Sequence, residues 1–185
     1  MKTIKLISLI FILLLAATTY SQRYITKTGH IWFHSEAPFE DIEAHNNQVN
    51  AALKTKSGAI VFKVLMKSFI FEKALMQKQF NGNYIESDKY PTATFKGKVS
   101  NIDAIDFSKP GSYDTEISGK LTIHGITNHV DATGIFEIKP DMIHGKSKFY
   151  IMTTDYDISF SGLLAGQAAI EIEINVDLHL KELKK

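Results

Sequence analysis

The chain has 185 residues, 44% of them hydrophobic, with 21 Lys and Arg against 20 Asp and Glu and a formal charge of +1. That apolar content excludes general disorder, and the near balance of charge supplies no field for steering nucleic acid or an anionic membrane surface. Cysteine is absent, which excludes a disulfide framework, a lipoprotein anchor and thiolate chemistry, so the core alone must hold the shape.

Lys2 and Lys5, the apolar run Leu6 to Ala17, and the small or polar residues around Thr19 and Ser21 have the three-part layout of a secretory signal peptide. The run is about a dozen residues, short of the roughly 20 that a spanning helix needs, so no membrane anchor is expected. Residues 1–21 are therefore predicted to be a signal peptide cleaved after Ser21. Residues 22–185 are predicted to form one mature domain, periplasmic or secreted. Loss of Lys2 and Lys5 moves the formal charge from +1 to about −1 and leaves the balance intact.

Further along, Ile60, Phe62, Val64 and Met66 alternate around Lys63 and Lys67. Ile117, Leu121 and Ile123 alternate with Glu116, Ser118, Lys120, Thr122 and His124. Val130, Ala132, Phe136 and Ile138 share a parity opposite His129, Asp131, Glu137 and Lys139. Ser147, Phe149, Ile151 and Thr153 oppose Lys146, Lys148, Tyr150 and Met152. The longest alternation runs Ile170, Ile172, Ile174, Val176, Leu178, Leu180 against Glu171, Glu173, Asn175, Asp177, His179, Lys181. Period two means strands with one dry and one wet face. Turn residues at Lys56-Ser57-Gly58, Lys109-Pro110-Gly111-Ser112, His124-Gly125, Pro140-Asp141 and Ser161-Gly162 separate them. Many one-faced strands with short connections predict an all-β fold, an antiparallel meander of about eight strands closed into a barrel, since closure buries the apolar face and removes exposed edges.

One segment breaks the pattern. Phe71 to Phe80 is rich in helix formers and places Phe71, Leu75, Met76 and Phe80 near one face, predicting a short amphipathic helix that ends near Asn81-Gly82, with Gly82 left-handed. Its apolar stripe either packs on the core or closes one end of the barrel as a lid.

Tyr90-Pro91-Thr92-Ala93-Thr94-Phe95-Lys96-Gly97 and Gly119-Lys120-Leu121-Thr122-Ile123-His124-Gly125-Ile126-Thr127-Asn128-His129-Val130 resemble the motifs of the YceI-like family, in the same order, and the similarity covers residues 23–181. The resemblance implies an extended lipocalin-like barrel of an exported protein with an apolar tunnel for a polyisoprenoid or similar lipid. Relatives often carry a His shortly before the Tyr/Phe-Pro, where this chain has Gln79. Independently of the family, Pro91 suits a strand start, because it lacks an N–H, and Gly125 suits a hairpin corner.

Candidate chemistry is sparse. His30 and His34 share a strand face but stand about 13 Å apart at about 3.3 Å per residue, too far to chelate one ion. His124 and His129 flank a turn and, with Asp131, fall on the polar parity of a solvated outer face. Glu171 and Glu173, about 6.6 Å apart on one strand, face water opposite the isoleucines, which argues against paired-carboxylate catalysis. Neither a nucleophile elbow nor a phosphate-binding glycine motif occurs, and no basic cluster suggests nucleic acid.

The expected protein is thus a non-enzymatic carrier or sequestering protein without cofactor or metal. Phe62, Val64, Met66, Phe95, Leu121, Ile123, Phe136, Phe149, Ile151, Ile172, Ile174 and Val176 are predicted to point inward and to line the ligand site. Two alternatives stand beside it: a solid barrel with a structural or stress-related role acting through protein partners, possessing no open pocket of roughly 300 Å³, and an enzyme using His124 or His129 on a lipid. A homodimer is compatible with the sequence, although no apolar strip on the wet faces announces one.

Overall fold

The computed structural model describes residues 22–35, 41–159 and 171–184. The predicted signal peptide, the Ser161-Gly162 turn and Ile170 lie outside the described residues. Among the described residues nine strands form one antiparallel sheet: β1 (Arg23–Ser35), β2 (Ile42–Lys54), β3 (Ala59–Leu65), β4 (Ile70–Phe71), β5 (Thr92–Val99), β6 (Gly111–Ile123), β7 (Ile126–Ile138), β8 (Met142–Met152) and β9 (Glu171–Glu182). Their order is β1-β9-β8-β7-β6-β5-β3-β2, and pairing of β1 with β2 closes the ring. The eight long strands are the barrel; the two-residue β4 is an appendage on β2, through Ala44↔Phe71 and His45↔Ile70.

Register explains where the barrel is solid and where it is hollow. At one end the pairs Leu53↔Ile60, Val99↔Ile117, Ile138↔Ile143 and Ile143↔Leu180 bring aliphatic side chains together. Leu53, Ile60, Val99, Ile138, Ile143 and Leu180 are buried there, and Ile102, from a 3-10 turn at Ile102–Ala104, covers them. At the other end the strands finish at Ser35, Leu65, Ile123 and Met152, and β9 begins at Glu171. The connection from β3 to β5 crosses this second end.

That connection departs from the predicted single helix. Phe71 belongs to β4, the α-helix α1 covers only Ala74–Gln79, and the chain continues through a wide π turn at Phe80–Tyr84, closed by the Ile85 N–H donating to the Phe80 carbonyl at 2.9 Å. Gly82 is not left-handed; the reversal falls at Glu86, with φ 47°. Continuing the helical path points both Phe80 and Ile85 into the barrel, where they are buried. Ser87 then fastens the end, its N–H donating to the Asn81 carbonyl at 2.8 Å and its hydroxyl to Asn81 Oδ1 at 2.9 Å.

Candidate ligand-binding cavity

Beneath α1 lies a cavity of about 490 Å³ lined almost wholly by apolar side chains. Its wall is the inner parity of the strands: Phe62 and Val64 from β3, Phe95 from β5, Leu121 and Ile123 from β6, Phe149 and Ile151 from β8, and Ile172, Ile174 and Val176 from β9. Met66, placed in a 3-10 turn just beyond β3, also reaches the lining. Phe136 does not. It points inward and is buried, but its ring sits over Gly145 near the solid end, where a Cβ on Gly145 would lie 3.1 Å from it, and so it fills the barrel instead of facing the cavity.

The roof supplies what strand alternation could not reveal. Phe33 from β1, Phe69, Phe71 from β4 and Phe80 form an aromatic cluster, with Phe33–Phe69 centroids 5.2 Å apart and Phe71–Phe80 centroids 4.9 Å apart. No residue of α1 is buried, yet Leu75, Met76 and Gln79 line the cavity. Leu75 is 66% exposed and the neighbouring Ile70 62% exposed, which places them at the rim. The helix is therefore a lid over the open end. The polar lining gathers partly here, as Lys73, Gln79 and Tyr84. Burial pushes the Tyr84 hydroxyl above its ordinary value, so it stays neutral at physiological pH.

The histidine pairs weighed from the sequence do not converge. His30 Nε2 lies 3.0 Å from His45 Nδ1, whereas His34 faces Glu43 at 3.9 Å. His124 is not on a solvated face. It occupies the hairpin corner with φ 51°, its Nδ1–H donating to the Tyr156 carbonyl at 3.1 Å and its Nε2 lying 3.0 Å from Glu86 Oε2. His129 stands opposite Lys120, exposed, with Ser118 at 3.1 Å and Asp131 at 3.2 Å. The corner pulls His124 inward because both central turn residues take positive φ, and this turns its side chain off the strand parity.

Glu173 likewise differs from a simply solvated residue. It accepts hydrogen bonds from Asn175 Nδ2 at 2.8 Å and the Tyr150 hydroxyl at 2.8 Å, and pairs with Lys148 at 2.9 Å. These donors hold its carboxyl down at about 2. It is an ionised structural brace on the outer wall.

The YceI-like domain family matches this sequence over residues 24–181. The chain belongs to the YceI-like family. Its fold is shared by a polyisoprenoid-binding domain from Saccharophagus degradans implicated in plant cell wall breakdown, with a TM-score of 0.72 at 14% identity over 87% of this chain and 98% of that one. BcnA of Burkholderia cenocepacia aligns with a TM-score of 0.67 at 17% identity, over 82% of this chain and 94% of its own. The Campylobacter jejuni YceI protein gives 0.58 at 14% identity, over 81% and 90%. No curated protein matches the sequence.

The YceI-like motifs have a physical meaning here, because they touch. Gly97 and Gly119 face each other across β5 and β6, and the Phe95 ring lies over the bare backbone between them; a Cβ on Gly119 would stand 2.5 Å from the Gly97 Cα and 2.6 Å from the ring. At the open end, a Cβ on Gly125 would stand 2.7 Å from the Tyr90 ring. The glycines of one motif make room for the aromatic rings of the other.

Proposed function

We propose that the mature chain is an exported, non-enzymatic binding protein that encloses a long apolar ligand, a polyisoprenoid or similar lipid, for carriage or sequestration. The observation that carries this reading is the cavity itself: about 490 Å³ falls within the range of small-molecule sites, above the roughly 300 Å³ below which a barrel counts as packed. Family membership and the fold shared with a polyisoprenoid-binding domain support the same reading. Affinity comes from removing ligand surface from water, about 0.8 kcal/mol per buried CH₂, less the cost of ordering a flexible chain. Selectivity then follows length and shape. The polar groups at the lid favour a ligand whose polar end lies beneath α1 and whose chain runs toward the solid end. The packed-barrel alternative has no support in a hollow interior, and membership of the YceI-like family favours a binding protein over the enzymatic alternative.

Titration with a polyprenyl lipid tests the reading, using wild-type protein and an Ala93→Trp variant. Ala93 is a small side chain in the lining, so the indole should occupy ligand space and weaken binding at least tenfold. Equal affinity in both proteins, with the variant folded, would count against the cavity as the site.

A further inference from the structure

We propose that His144, Asp177 and His179 form a binding site for a divalent transition metal of the zinc class on the outer wall of the barrel, independent of the cavity. The sheet geometry assembles it. His144 stands directly opposite His179 in the β8–β9 ladder, and Asp177 is two residues from His179 on the same strand, so all three project from one face. Leu178 between them points inward and is only 2% exposed, which fixes that face as the outer one.

The donor atoms already converge. His144 Nε2 lies 2.8 Å from Asp177 Oδ1, His179 Nδ1 lies 3.6 Å from the same oxygen, and one donor atom from each residue falls within 4.8 Å of the others. Around zinc, bonds of about 2.0–2.1 Å at tetrahedral angles put neighbouring donors about 3.3 Å apart. The two separations bracket that value. His179 stacks on His144 with centroids 4.3 Å apart, and its exposed ring has room to turn its Nδ1 toward a shared ion.

A second observation points to a cation. His144 is 9% exposed, and both of its ring nitrogens face carboxylates, Nε2 toward Asp177 and Nδ1 toward Glu137 Oε2 at 3.3 Å. A neutral imidazole carries one N–H and satisfies one of them. With the Nδ1–H given to Glu137, the Nε2 lone pair is left aimed at the Asp177 carboxylate, the arrangement in which an outer carboxylate orients a histidine ligand. Two imidazoles and one carboxylate suit zinc, cobalt or nickel, and the solvent side leaves a fourth position for water.

The test uses the full chain produced without a histidine tag, stripped of metal and titrated with Zn²⁺ by calorimetry and with Co²⁺ by its d–d absorption. One ion per chain is expected. His179→Ala and Asp177→Asn should each weaken binding at least tenfold while circular dichroism stays that of the wild type. Glu137→Gln, which touches no metal, should cost about 10- to 100-fold, and His45→Ala should cost nothing. No stoichiometric binding, or equal affinity in the His179 and Asp177 variants, would overturn the site.

Discussion

The Tyr90 ring meets the His124 imidazole edge to face, with centroids 4.5 Å apart. Through this contact the loop that returns from the lid is pinned to the β6–β7 corner, and the corner glycine is what allows it. Gly125 has φ +79° and would carry a Cβ into Tyr90. Gly125→Ala is therefore expected to lower stability by about 1–3 kcal/mol, from backbone strain and overpacking together. Chemical denaturation measures it. An unchanged midpoint would show that the corner relaxes freely.

Gly119→Ala should be harder to absorb, because the nearest obstacle to its Cβ is backbone, the Gly97 Cα at 2.5 Å, with the Phe95 ring immediately beyond. A loss of about 2 kcal/mol or more is expected. Adding Phe95→Leu to that variant should recover part of the loss, since a smaller side chain vacates the space above the glycine pair. Additive losses in the double variant would contradict this packing account.

Phe80 holds the lid by its contacts with Phe33 at 5.7 Å, Phe69 at 5.7 Å and Phe71 at 4.9 Å between centroids. Phe80→Ala is expected to cost about 3 kcal/mol or more in stability and to accelerate lipid release, because α1 loses its anchor to β1. Stopped-flow displacement of a bound fluorescent lipid reads the rate, and a rate equal to that of the wild type would mean that the ligand leaves by another route.

Acid should weaken the outer wall through Glu173. Its carboxyl is held at about 2 against an ordinary value of 4.5, so the folded state binds the proton less readily than the unfolded chain. The contribution is fully present above about pH 4.5 and is lost as pH falls toward about 2. Glu173→Gln should flatten the stability profile across that window while leaving its shape above it unchanged.

Strand alternation made the barrel legible, because residues such as Leu121, Ile151 and Ile172 obey period two and the wall they build requires it. Phe136 shows the limit of that signal: parity tells which face a residue takes but not how far along the barrel axis it sits. The roof was less legible for a different reason. Phe33, Phe69, Phe71, Phe80 and Ile85 converge from separate local structures, and the π turn that directs Phe80 inward has no period to read. His144 was not legible because its partners Asp177 and His179 are distant in sequence and become neighbours only once β8 and β9 are in register. The visible clue was Asp177-x-His179 on one face of the final strand.

The most direct test of the central claim is mass spectrometry of lipids extracted under denaturing conditions from protein purified out of its native envelope. The expected result is one long isoprenoid or similar lipid in near-stoichiometric amount, lost when Phe149 and Ile172 are replaced by polar residues. Protein that is reproducibly empty and also fails to take up added lipid would contradict the account and leave the cavity without the role proposed for it.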